Sequence, residues 1–220
     1  MSLFQLDRQL FDFLNHGFNS PALDLFMSVL SSWVFWRPFV LIAAAFALVF
    51  GGFKGRAFVC CAVLIVLVVD DGVANPLKHF TNRPRPYQAM AGVRIVQLQE
   101  TQPRFFALIP PAVVSWSTLP PKTREDRSFP SGHVINNFAL AAVLAWFYRR
   151  RGWLYFIIAT LVAWSRVYKG DHYPSDVVSS AVIGAGVAVI LMMVLDFLWR
   201  NYGARFLPTL HSAHPTLLCE

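Results

Sequence analysis

Three short segments of this chain hold cations, histidines and small residues at spacings suited to gripping a phosphoryl group. They run from Lys78 to Pro86 (KHFTNRPRP), from Pro130 to His133 (PSGH) and from Ser165 to Asp176 (SRVYKGDHYPSD). A phosphoryl group in transfer spreads negative charge over three equatorial oxygens, so catalysis is largely positioning and electrostatics. Lys78, Arg85 and Arg166 supply fixed positive charge, and the arginine forks suit bidentate contact with oxygens. Ser131 and Gly132, at a helix start, offer backbone N–H donors and the positive end of a helix dipole. Two histidines divide the remaining work. His172 has Asp176 four residues on, a carboxylate placed to keep one ring nitrogen protonated while the other is aimed at phosphorus. His133, arriving from a different helix, protonates the leaving oxygen. These segments contain no Asp, Glu and His cluster with metal-ligand spacing, so the chemistry asks for no metal and no cofactor.

Each segment alone has an ordinary structural use. Lys78 and Arg85 resemble interfacial anchors, and Ser131-Gly132 resembles a helix N-cap. His172 and Asp176 resemble a hydrogen-bonded pair at a helix start, with Pro174 near the first helical position. Their occurrence together, in order and on one side of the chain's apolar spans, is what points to a site.

Those spans come from the composition. Hydrophobic residues make up 56% of the 220 residues and charged ones 14%, with 20 Phe and 7 Trp and a mean hydropathy of +0.49. Average soluble chains carry about 25% charged residues, so a polytopic, all-α membrane protein is expected. Five spans are clear: 36–50, 58–77, 134–148, 153–168 and 177–199. Residues 21–34 are a marginal sixth, short for roughly 30 Å of hydrocarbon. Residues 1–18 lack the basic start and clean apolar middle of a signal peptide. Leu3, Leu6, Leu10, Phe11 and Leu14 predict instead an amphipathic interfacial helix. The expectation is a single membrane-embedded domain over 1–220, with a loop at 88–129 and a solvated tail at 201–220 that carries His211 and His214.

The net charge is +7. Lys54 and Arg56, Arg149 to Arg151, and Arg200 with Arg205 fall on one side of the alternating spans, which the positive-inside rule makes cytoplasmic. The other side, 78–132 and 166–176, still carries ten Lys and Arg, Lys122 and Arg124 among them. A basic cluster on the translocated side implies a bound anion. Short clusters between apolar spans suit lipid phosphates and membrane lipids, not nucleic acid.

The three motifs resemble those of the type 2 phosphatidic acid phosphatase family: Lys-x6-Arg-Pro, Pro-Ser-Gly-His and Ser-Arg-x5-His-x3-Asp, all present without substitution. A chance Pro-Ser-Gly-His is expected in only about one chain of this length in a thousand, and the other motifs compound that rarity. The resemblance implies a bundle of about six helices and metal-independent hydrolysis of lipid phosphates or diphosphates. It makes His172 the nucleophile of a phosphohistidine, Asp176 its partner and His133 the general acid. It also implies that Lys78, Arg85, Ser131, Gly132 and Arg166 bind the phosphate. Undecaprenyl diphosphate, phosphatidylglycerolphosphate and phosphatidic acid fit as substrates, with lipid A dephosphorylation or phosphotransfer as alternatives. The vanadate-dependent haloperoxidases resemble this family's site, but the apolar spans suit a membrane-embedded substrate. A non-enzymatic anion transporter or lipid-phosphate binder would use the cations without needing both histidines.

Other residues receive lesser expectations. Asp71, Asn75 and Lys78 share a helical face, so Asp71 is read as orienting Lys78 through Asn75. Arg83 and His79 are read as solvated or headgroup-facing. Cys60, Cys61 and Cys219 form no disulfide framework.

Overall fold

A computed structural model describes residues 2–118 and 127–217, apart from the side chains of Arg104 and Phe105. Lys122, Arg124 and Cys219 lie outside the described residues. Ten helices follow in order among them: α1 (Leu3–His16), α2 (Pro21–Leu30), α3 (Trp33–Phe50), α4 (Gly52–Leu67), α5 (Asn75–Thr81), α6 (Pro86–Ala89), α7 (Gly132–Gly152), α8 (Tyr155–Tyr168), α9 (Pro174–Phe206) and α10 (Pro208–Ala213). A π-helical stretch, Val68–Ala74, joins α4 to α5, so Gly52–Thr81 is one apolar rod. Trp33–Phe50, Gly52–Thr81 and Pro174–Phe206 are long and apolar enough to cross a membrane.

The marginal segment 21–34 is not one helix. Ser31 ends α2, and the Ser32 hydroxyl accepts the Phe35 N–H to start α3, so Trp33 to Trp36 belong to the next helix. The chain is mostly helical, as expected, with one small sheet added. Within the 88–129 loop, β1 (Arg94–Gln97) pairs antiparallel with β2 (Val113–Trp116), Arg94 opposite Trp116. Both are short runs rich in β-branched and aromatic residues, which favour a pleated pairing even between prolines. The tail is not free. Trp199 Nε1 donates to the His214 carbonyl, and the His214 ring stacks on Phe53 with centroids 4.1 Å apart.

The main core lies between the α4 rod, α7 and α9, around Ile65, Val69, Ile135, Ala139, Val143, Phe147 and Met192. Small residues let the helix backbones approach closely, as in membrane bundles generally. At Gly184 of α9, a Cβ would sit 2.2 Å from the Ile135 carbonyl oxygen of α7, whereas one at Gly186 meets nothing within 4 Å. Gly184→Ala should therefore destabilise the protein by about 1–3 kcal/mol through overpacking. Gly186→Ala should be neutral or slightly stabilising. Thermal unfolding of the two variants in detergent reads the difference directly.

A second cluster joins α1 to the start of α7 and of α9 through Phe11, Val134, Ala163, Val167, Tyr173 and Val177. α1 turns an unusual face inward: Asp7, Phe11 and Asn15 are buried, while Leu3, Phe4, Leu6, Leu10 and Phe13 point out. Asn15 donates to the carbonyls of Arg94 and Tyr168, and its own carbonyl accepts the Arg94 N–H. Asp24 of α2 accepts from the Arg94 guanidinium and the Tyr168 hydroxyl. Both N-terminal helices are thus bolted by buried polar side chains to the end of the bundle that carries the three motifs.

Candidate active site

His172 lies in the turn between α8 and α9 and is 3% exposed. Its Nδ1 is 2.6 Å from the carbonyl oxygen of Ser128. A carbonyl only accepts, so Nδ1 carries the proton and Nε2 keeps its lone pair. The four-residue spacing predicts that Asp176 does this directly. Instead, Asp176 accepts the Ser128 hydroxyl and the Tyr173 N–H, and pairs with Arg83. The helical start explains the change: Asp176 sits at the third position of α9, where its carboxylate folds back onto the Tyr173 N–H. From there it reaches His172 through Ser128. Spacing alone does not reveal Ser128, because it meets His172 through its backbone.

Arg83 departs further from expectation. It is half-buried and engaged by protein partners. Its guanidinium donates to Asp176, to Asp7 of α1 at 2.8 Å and to Ser175, and it stacks over the Tyr173 ring. Burial works against its charge, yet Asp176 and Asp7 outweigh that and hold it above its ordinary value. Asp7 also accepts the Ser175 N–H and hydroxyl. One signal was present in the sequence, since Asp7 shares its helical face with Phe11 and Leu14, where a carboxylate needs a buried partner.

The second motif opens α7. Ser131 is its N-cap residue, and its N–H donates to the Ser180 hydroxyl, which donates in turn to the Asp176 carbonyl. The start of α7, with His133 in its first turn, is thereby fixed against the first turns of α9. The Ser131 hydroxyl and Arg166 Nε are buried with no protein partner among the described residues. Unsatisfied donors of this kind suit a polar ligand. A Cβ at Gly132 would lie 3.7 Å from Lys78 Nζ and 3.9 Å from Asp70 Oδ1, so both side chains end beside the helix start.

Asp71 and Asn75 are hydrogen-bonded as expected (3.1 Å), but both are exposed, and among the described residues neither bonds Lys78. Asp70 is the carboxylate on the Lys78 side. The π turn explains this, because a turn of that kind takes up about one residue more than an α turn. Eight residues, not seven, then return to the same face.

Arg85 and Arg166 converge on Asp171, the residue before His172. Arg166 Nη2 is 2.9 Å from Asp171 Oδ2, and Arg85 Nη1 is 3.5 Å from Oδ1. Lys169 Nζ is 3.9 Å from Oδ2 and donates to the Ser31 hydroxyl. Burial opposes ionisation of Asp171, but Arg166, Lys169, His172 and Arg85 together keep its carboxyl below the usual range. Burial, then Arg166 and Arg85, push His172 well below the usual histidine value, against a partial counter-pull from Asp171 and the Ser128 carbonyl. His172 is therefore neutral at physiological pH, the state a nucleophilic imidazole needs.

Residues 57–200, more than half of the chain, match the profile described as PAP2 superfamily. The chain belongs to the PAP2 superfamily. Lipid A 4'-phosphatase of Bacteroides thetaiotaomicron is 29% identical to this PAP2 chain over 187 residues, covering 83% of it and 73% of the relative. Undecaprenyl-diphosphatase BcrC of Bacillus subtilis is 33% identical over 73 residues, 33% of this chain and 38% of that protein, so less than half of that relative is matched. The crystal structure of Aquifex aeolicus LpxE shares the fold, with a TM-score of 0.62 at 23% identity over 86% of this chain and 95% of the other. The resemblance read from the three motifs holds, and lipid phosphatases are what the relatives' names describe.

Burial, with Arg166 and Arg85 nearby, lowers Lys169 to about 8 despite the opposing pull of Asp171. Below that pH Lys169 is charged, and above it the pocket loses a cation. KM for a phosphate substrate should therefore rise as pH passes upward through about 8. In Lys169→Arg, which stays charged, KM should stay flat over the same range, as initial rates across pH 7 to roughly 9.5 would show.

Proposed function

We propose that this PAP2 chain is an integral-membrane phosphatase that hydrolyses the phosphomonoester or diphosphate of a lipid through a phosphohistidine on His172, without metal. The observation that carries the reading is the His172 ring. The Ser128 carbonyl fixes its protonated nitrogen, and Arg166 and Arg85 stand beside it. Nε2 attacks phosphorus while Lys78, Arg85, Arg166, the Ser131 hydroxyl and the N–H groups opening α7 hold the equatorial oxygens. The P–O bond to the leaving group breaks as His133 gives its proton to that oxygen. His133 then takes a proton from water, whose oxygen attacks phosphorus and breaks the N–P bond. Inorganic phosphate leaves, and both histidines return to their starting states. A pocket lined by Arg85, Arg166 and Lys169 repels a metal cation, which supports a metal-free route.

In this reading α3, the α4 rod, α7, α8 and α9 cross the membrane, while α1 and α2 lie at the catalytic end. The outward Leu3, Phe4, Leu6, Leu10 and Phe13 of α1 suit the interface. The basic loops at Lys54, at Arg149 to Arg151 and at Arg200 face the cytoplasm, and the site faces the extracytoplasmic side of the inner membrane. Of the far-side cations, Arg83 and Arg94 are held in ion pairs with Asp7, Asp176 and Asp24, away from the Arg85, Arg166 and Lys169 cluster on Asp171.

The substrate enters laterally, tails in lipid and phosphate in the basic pocket. Phosphate release by purified protein in detergent with excess EDTA tests this across undecaprenyl diphosphate, phosphatidylglycerolphosphate, phosphatidic acid and lipid A. EDTA-resistant release is expected, and the preferred lipid names the substrate. No release from any of the lipids would return the cations to binding or transport.

A further inference from the structure

Asp171 sits where the phosphate of the proposed reaction has to go. Its two oxygens meet Arg85, Arg166 and Lys169, and no other residue pairs with its carboxylate among those described. Among the described residues it caps no helix and bonds no backbone N–H through its side chain. The turn that presents it is tightly set: its own N–H donates to the Arg166 carbonyl at 3.1 Å. Gly170 holds φ +81°, with a would-be Cβ 2.7 Å from the Arg94 carbonyl oxygen, so only glycine lets the turn close against β1. The chain thus spends a constrained turn on aiming an anion at the very cations that grip substrate.

Guanidinium forks take carboxylate and phosphate oxygens in the same way. We infer that Asp171 is an internal counter-anion that competes with the substrate's phosphate for Arg85, Arg166 and Lys169; the inference rests on the phosphatase reading above. Asp171 keeps the clustered cations compensated until a phosphoryl group, with more charge and more oxygens, displaces it. When the product is inorganic phosphate, the same carboxylate returns and helps expel it. Asp171 therefore sets how tightly the site holds phosphate and how strongly product inhibits.

The test is orthophosphate and orthovanadate binding to the full-length protein in detergent, by titration calorimetry. Asp171→Asn and Asp171→Ser should each bind both anions roughly tenfold more tightly than wild type, because a partly buried competing charge has gone. Phosphate should inhibit turnover at correspondingly lower concentration. Binding that is unchanged or weaker in a folded variant makes Asp171 a mere orienter of the arginines and overturns the inference. Thermal unfolding identifies the folded variants. A measurement on wild type stands apart from them: adding phosphate should shift a carboxylate band in the infrared difference spectrum as Asp171 leaves its guanidinium partners. An unmoved band also overturns the inference. Arg166→Ala separates the two levels. If phosphate binds equally well without Arg166, the phosphate seat itself is wrong; if binding depends on Arg166 but not on Asp171, only the counter-anion fails.

Discussion

His172→Ala should abolish phosphate release, by roughly 10⁴-fold or more, while orthophosphate binding and thermal stability stay near wild type. The first half follows from the ring's state. Burial and two arginines keep it neutral, and the Ser128 carbonyl commits Nδ1 to carrying the proton, so Nε2 keeps the lone pair that the proposed attack on phosphorus requires. The second half follows because, among the described residues, the side chain's hydrogen bond is to that carbonyl, and the cations belong to other residues. His133→Ala supplies the complementary result. With an alkyl lipid phosphate both steps slow, since the leaving oxygen and the attacking water each need His133. With an aryl phosphate, whose leaving group needs no proton, the first step is spared and the second is not. An acid-labile phosphoenzyme should then accumulate on His172, detectable by mass spectrometry of rapidly quenched protein. Full turnover in His172→Ala would remove the phosphohistidine from the mechanism.

The sequence made legible those parts of the molecule that depend on local pattern. Apolar runs gave the long helices, and the short basic loops marked one end of the bundle. Fixed spacing singled out His172, Asp176, Arg85 and Arg166, and the fold brings these together, the first pair through Ser128 and the arginines on Asp171. What stayed hidden acts across long sequence separation or through the backbone. Ser128 meets His172 by its carbonyl, which any residue possesses, so no residue type advertises it. Asp7 and Arg83 are 76 positions apart and meet only because α1 lies over the start of α9. Asp70 ends with Lys78 beside Gly132, while Asp71 bonds Asn75, because a π turn shifts the helical phase, and nothing in a 3.6-residue periodicity anticipates that. The β1–β2 pair was missed because two four-residue strands inside a proline-rich loop are too short to show a period.

The chain from Asp176 to His172 makes a prediction that a direct pair would not. Asp176→Asn should lower kcat/KM by about 10²–10³-fold, since the network that orients the nucleophile loses its charge. Arg83 keeps Asp7 as a partner, so the fold survives that change. Ser128→Ala keeps the carbonyl but removes the hydroxyl that ties it to Asp176. It should cost roughly 10–100-fold in kcat/KM with KM little changed, because the ring loses alignment and not its phosphate-binding neighbours. The double variant is decisive. Two residues acting in series on one ring cannot each subtract their full effect, so the double loss should hardly exceed that of Asp176→Asn alone. If Asp176 gripped His172 itself, Ser128→Ala would be nearly silent. If Ser128 acted independently, the two losses would multiply. Initial-rate kinetics on the four proteins separate these cases, and only the non-additive result fits a carboxylate that reaches its histidine through the main chain of a serine 44 positions away from it.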